Sequence, residues 1–166
     1  INRTDDWPEL DVPRLQRIIN ERKLFVLPSV VKGTGLFPDA KPRVVEGDQV
    51  YALEEIQNGT RIPAFFNDFQ LGCAVLILSL AYQTKIALDM TGFAGVGTIF
   101  TEGGFRQNKT YNALLTALYP QAKVALTNME EATAFGAAIL GKAALDGTTP
   151  METADCFSID TEAVPA

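Results

Sequence analysis

The sequence predicts an α/β fold centred on a parallel β-α-β-α unit at residues 96–147. Three observations carry that prediction. Val96 to Thr101 and Ala122 to Thr127 are apolar and β-branched runs of strand length. Between them, Tyr111, Leu114, Leu115 and Leu118 recur at the spacing of one helical face. Beyond the second run, a helical stretch rich in alanine ends at Gly147, the residue expected just past a helix terminus. A strand–helix–strand connection of this kind makes the strands parallel and the crossover right-handed.

The elements follow in chain order. Residues 11–23 read as a helix: Asp11 can cap it, Pro13 suits its first turn, and Leu15, Ile18, Ile19 and Arg22 share one side. Leu24 to Val31 reads as a strand broken near Pro28. From residue 32 to 67 the chain is punctuated by Gly33, Gly35, Pro38, Pro42, Gly47, Gly59 and Pro63, which predicts a long loop or arm. Short strands at Val44-Val45 and Val50 to Leu53 fit within it. Residues 69–89 predict a helix that is apolar nearly all round. Its uninterrupted apolar stretch, Leu71 to Tyr82, falls short of the roughly 20 residues a membrane span needs, so a buried core helix is expected.

After the strand at 96–101, Glu102-Gly103-Gly104 reads as a tight turn and Asn108 to Leu118 as a helix stopped by Pro120. Asn128 with Glu131 three residues on predicts a capping box for a helix at 129–145. In that helix Ala132 with Gly136, and Thr133 with Ala137 and Gly141, form small-residue rows suited to very close packing on a neighbour. The tail, 148–166, is polar, with a short strand expected at Cys156 to Ile159.

Composition narrows the function. A chain of 166 residues fits one domain, and 47% hydrophobic against 20% charged residues supplies a core and excludes disorder. The formal charge of -6 comes entirely from the last quarter, where Lys142 stands alone against Glu130, Glu131, Asp146, Glu152, Asp155, Asp160 and Glu162. Such a distribution gives a solvated acidic surface and no basic stripe, so no nucleic acid partner is expected. The absence of histidine excludes His-based triads and His-ligated metal centres, and no metal site is expected. Cys73 and Cys156 form neither a disulfide framework nor a metal knuckle, and reduced thiols in a cytoplasmic protein are expected.

Glycine-rich segments are the candidate sites. Gly92, Gly95 and Gly97 precede a strand, opposite to a dinucleotide fingerprint, and read as a structural loop. Lys32-Gly33-Thr34-Gly35 lacks the Walker spacing and opens no helix. Glu102-Gly103-Gly104 is better placed. It follows a strand and precedes a helix, where bare backbone and a helix N-terminus meet beyond the carboxyl end of a parallel sheet. The same residues equally make a tight β–α turn with no ligand.

Thr101 to Asn108, followed by Glu130-Glu131-Ala132-Thr133-Ala134-Phe135-Gly136-Ala137-Ala138, resembles the C-terminal domain of the FGGY-type carbohydrate kinases, a branch of the actin-like ATPase (ribonuclease H-like) superfamily. Phe25 to Pro28 with the loop after it, and Ala81 to Thr84 in the apolar helix, add to the likeness, which spans residues 24–147. The resemblance implies that residues 1–166 are a single partial domain, the C-terminal nucleotide-binding lobe of a sugar kinase. It implies transfer of the ATP γ-phosphate to a sugar hydroxyl, with ATP and Mg²⁺ as cofactors. Gly103 and Gly104 would approach the nucleotide through their backbone, and Asn108 would contact the adenosine. Glu102, near that pocket, is given no catalytic work. Leu78 stands where the family signature carries an acidic residue, and the upstream phosphate motif is absent. The catalytic Asp and the sugar pocket are therefore expected outside this chain, the fragment alone is expected to be inactive, and the sugar reaches it through the other lobe. No membrane partner is expected, and a homo-oligomer stays open. A non-catalytic α/β interaction module and an unrelated nucleotide-binding domain are the alternatives.

Overall fold

The computed structural model describes residues 8, 11–27, 37–129, 131–158 and 160–164. The glycine-rich segment Lys32 to Gly35, the end of the strand beyond Leu27 and the position of Glu130 lie outside them. The chain divides into two compact units, Ile1–Ala94 and Gly95–Ala166.

In the first unit, helix α1 (Val12–Glu21) starts where the sequence places it. The Asp11 carboxylate accepts from the Arg14 N–H at 3.1 Å, and the helix stops at Arg22, which has φ 52°. Leu15 and Ile18 are buried, whereas Ile19 of the predicted stripe is exposed. Strands β1 (Leu24–Leu27), β2 (Arg43–Glu46) and β3 (Gln49–Ala52) form an antiparallel sheet in that order. Helix α2 (Leu53–Gln57) follows β3 directly, and a 3₁₀ turn covers Ala64–Asn67. The short strands expected at Val44-Val45 and Val50 to Leu53 stand as β2 and β3, while α2 and the 3₁₀ turn add order that the expected loop or arm at 32–67 did not include. Local capping explains this. The Glu55 carboxylate accepts the Ala52 N–H at 2.8 Å, and Glu46 accepts both the Ala64 and Phe65 N–H groups. Two short elements thereby gain partners for their orphan donors.

Helix α3 (Phe69–Met90) is capped by Asp68 and packs against α1, β1 and the 3₁₀ turn. It buries Cys73, Val75, Ile77, Leu78, Ser79 and Ala81. Ser79 joins helix to sheet: its hydroxyl accepts the Val26 N–H at 3.0 Å and donates to the Val75 carbonyl at 2.7 Å. At 22 residues, with a window of mean hydropathy 1.6, α3 is by length and composition long and apolar enough to cross a membrane. The expected stretch Leu71 to Tyr82 is the uninterrupted apolar part of this longer helix. A third of that window, 33%, is buried within the protein.

The second unit holds the β-α-β-α segment. Strand β4 (Gly97–Thr101) pairs in parallel with β5 (Ala122–Thr127), from Gly97 opposite Ala122 to Thr101 opposite Leu126. Between them lie α4 (Gly103–Arg106) and α5 (Lys109–Leu118). Val124, Ala125, Leu115 and Tyr111 are the buried centre. Helix α6 (Ala132–Asp146) ends at Gly147, φ 67°, as expected. Its beginning is not as expected. Glu131 caps it without a side-chain hydrogen bond, while the Asn128 amide donates to Asp160 at 3.2 Å, so no capping box forms at Asn128. The capping box of this unit is Thr149 with Glu152, heading α7 (Pro150–Ala154). Of the strand expected at Cys156 to Ile159, Ile159 lies outside the described residues and 156–158 are not strand; the tail strand lies further on. It is β6 (Thr161–Ala163), added antiparallel to the far edge of β5. The small-residue rows of α6 are a further correction. Among the described residues, a Cβ built on Gly136 or Gly141 meets nothing within 4 Å outside its own helix, and Ala143 is the buried residue of the helix. Among the described residues, α6 contacts mainly α7, with Phe135 edge-on to Phe157 at 5.2 Å.

Candidate functional site

Strand β4 delivers the chain to the candidate site. Thr101, its last residue, is 7% exposed, and its hydroxyl has no hydrogen-bond partner among the described residues. The backbone then passes through extended Glu102 into Gly103, whose φ of 56° lies in the left-handed region that favours glycine. Gly103 and Gly104 are the opening residues of α4, so the expected tight turn is a single short helical turn instead. Both are exposed, and among the described residues no atom beyond their own chain neighbours and helix backbone stands within 4 Å of where a Cβ would project from either. Bare backbone is thus open to a ligand along this stretch.

Asn108 closes the segment. Its side-chain oxygen accepts the Tyr111 N–H at 2.9 Å, making it the N-cap of α5. The capping leaves the Nδ2 group of this half-buried residue as the donor available to a ligand. Phe105 lies against Tyr111, ring centres 4.6 Å apart, and covers the joint between α4 and α5.

The structure therefore brings Gly103, Gly104 and Asn108 onto one short connection at the carboxyl end of β4. Glu102 precedes them, half-buried. The expected second motif, Ala132 to Ala138, lies on α6, and Leu78 is buried on α3 in the first unit. Sequence reasoning missed Asn112. Its side chain is 1% exposed, and its Nδ2 donates to the carbonyls of Phe105 at 2.9 Å, Arg106 at 3.3 Å and Asn108 at 2.9 Å. The signal was an amide interrupting an otherwise apolar helical face. Among the described residues, no group of three or more His, Cys, Asp or Glu is arranged to hold a metal ion.

Residues 4–150 match the family model described as carbohydrate kinase FGGY, C-terminal domain. The chain belongs to that family. Its α/β architecture, with the parallel β4–β5 pair, agrees with the actin-like ATPase lobe expected from the sequence. A carbohydrate kinase from Novosphingobium aromaticivorans of known crystal structure is similar at 22% identity and a TM-score of 0.44; the match covers 72% of this chain and 22% of that one. No curated protein matches the chain.

Proposed function

We propose that this chain is the nucleotide-holding C-terminal part of a carbohydrate kinase that transfers the γ-phosphate of ATP to a sugar hydroxyl. One observation carries the reading: a chain of this family has open glycine backbone at the carboxyl end of β4, immediately ahead of a helix capped by Asn108. ATP fits these residues. Gly103 and Gly104 place no side chain in the way of a nucleotide, and the Asn108 Nδ2 group is a donor suited to an adenosine acceptor. ATP supplies the phosphoryl group. The chain's part in the transfer is positioning, which is most of what catalysis of this reaction requires. Mg²⁺ fits differently, because the described residues offer no ligand cluster; it enters bound to the nucleotide phosphates. The catalytic carboxylate and the sugar pocket belong to residues outside this chain, so the chain alone is inactive. Its two units are parts of one nucleotide lobe, its setting is the cytoplasm, and α3 is a core helix of the enzyme.

Titration calorimetry with ATP and ADP tests the reading. The chain should bind both, and Gly104→Arg should abolish binding by filling the open backbone. Asn108→Ser retains a good N-cap and loses the amide donor, so it should weaken binding without loss of helix. Wild-type chain that binds neither nucleotide, or Gly104→Arg that binds as wild type does, refutes the assignment.

A further inference from the structure

Asn112 is a buried amide surrounded by backbone carbonyls. Three of them, from Phe105, Arg106 and Asn108, lie within 2.9–3.3 Å of one nitrogen. Three acceptors can be satisfied only by a donor, which fixes the orientation of the amide: the nitrogen faces the carbonyls, and its two hydrogens are shared among them. The opposite atom, Oδ1, is buried with no hydrogen-bond partner among the described residues. The side chain is thus held from one side alone, by the segment that links Gly103-Gly104 to α5. That segment is short and irregular. Helix α4 is a single turn, its cap residue Glu102 makes no side-chain capping bond, and its first residue is at positive φ. Backbone bonds from the Asn108 N–H to the Phe105 carbonyl and from the Asn112 N–H to the Asn108 carbonyl, both 3.1 Å, the Asn108 cap and the Phe105–Tyr111 contact hold it, and the Asn112 side chain adds three hydrogen bonds across residues 105–108.

We propose that Asn112 is a positioning residue for the nucleotide: from one turn into α5 it clamps the carbonyls of residues 105, 106 and 108, and so holds the Gly103-Gly104 backbone and the Asn108 amide in register for binding. This rests on the nucleotide reading above. Asn112 touches no ligand and acts through the backbone it holds.

The test compares wild-type chain with Asn112→Leu, which keeps the branched skeleton and removes the donor, and Asn112→Asp, which keeps the shape and turns the donor into an acceptor. Leu118→Ala, at the far end of the same helix, serves as a control for general destabilisation. Amide hydrogen exchange and ATP titration are read on each, together with melting. Losing a donor to buried carbonyls is expected to speed exchange at residues 103–108 about tenfold relative to β4 and β5, with a similar loss of ATP affinity. Leu118→Ala should melt earlier without that local rise. The inference is overturned if exchange rises equally across β4, β5 and 103–108, or if the control loses affinity as the Asn112 variants do. It also fails if Asn112→Leu binds ATP like wild type. Wild-type chain without ATP affinity refutes the site reading and the inference together, whereas wild-type binding with unaffected Asn112 variants refutes the inference alone. If Asn112→Leu does not fold, Asn112→Asp carries the same comparison.

Discussion

Substituting alanine at Gly103 and at Gly104 should move stability in opposite directions, although the two glycines are neighbours and both are exposed. At Gly103 the φ of 56° lies in the left-handed region, where a Cβ crowds the following carbonyl. Alanine there costs about 1–2 kcal/mol. Gly104 lies outside that region, is helical, and has no atom within 4 Å of the Cβ position. Alanine there restricts the unfolded chain without straining the folded one, and should add about 0.4–1 kcal/mol. For a chain of this length unfolding in one transition, each kcal/mol moves the melting temperature about 2–4 °C. Gly103→Ala should therefore melt about 2–8 °C lower and Gly104→Ala about 1–4 °C higher. Nucleotide binding separates function from stability. If ATP lies on the bare backbone, the stabilised Gly104→Ala chain should bind it less well, because the added methyl occupies the approach. Far-UV circular dichroism on heating and calorimetric titration of ATP read the two effects. Equal stability changes at both positions would refute the backbone argument; unchanged ATP affinity in Gly104→Ala would refute the proposed approach of the nucleotide.

Other expectations follow from single contacts. Ser79→Ala strands the Val26 N–H, whose acceptor is the Ser79 hydroxyl, and should cost about 1–3 kcal/mol in urea unfolding; an unchanged midpoint would show that β1 is not held to α3 by this bond. Leu115→Ala empties a site with 0% exposure and should cost about 2–5 kcal/mol, read by the same assay, with a loss under 1 kcal/mol counting against the packing of α5 on β5. Acidification should loosen two helix starts. Glu55 is held below the usual glutamate range by the Ala52 N–H and then by Arg61, and Glu152 by the N–H and hydroxyl of Thr149. A lowered folded-state pKa means the unfolded chain binds more protons in the interval between the two values. Their stabilisation is thus complete above the usual glutamate range and is lost as pH falls through the folded values. The double variant Glu55→Gln, Glu152→Gln should show a shallower fall of stability with acid; an identical acid profile would contradict this.

The sequence made the second unit legible where periodicity and strand composition agreed, as in β4, α5 and β5. It was less informative where short polar contacts decide the structure. Helix α2 has five residues, too few for a hydrophobic period to register, and it is set by the Glu55 carboxylate reaching back to Ala52. The expected capping box, Asn128 with Glu131, and the one that forms, Thr149 with Glu152, differ little as strings of letters. In the folded chain Asn128 is drawn to Asp160 by the tail strand, a partner 32 residues away that no local pattern shows. Strand β6 is equally silent, because all three residues of Thr161–Ala163 are exposed and carry no alternation to read. For α6, composition suggested a close-packed helix. Small residues permit close approach but do not supply the surface that approaches, and none lies against Gly136 or Gly141 among the described residues.

The candidate site shows the same division between what a motif names and what a structure needs. Motif reasoning selects Gly103, Gly104 and Asn108 because they can meet a ligand. It passes over Asn112, which cannot. Yet residues four apart on a helix lie one above the other on the same face, so Asn112 stands one turn beyond Asn108 and faces the same connection. Asn108 uses its oxygen to start α5, and Asn112 uses its nitrogen to hold the carbonyls ahead of that start. Each amide supplies the half that the other leaves free. The Asn108 carbonyl joins them, accepting both the Asn112 backbone N–H at 3.1 Å and its side-chain N–H at 2.9 Å. Loss of the Asn112 amide therefore also displaces the Asn108 donor, and the double variant Asn108→Ser, Asn112→Leu should lose less ATP affinity than the two single losses combined. Strict additivity in a double-mutant cycle would show that the two amides act on separate structures.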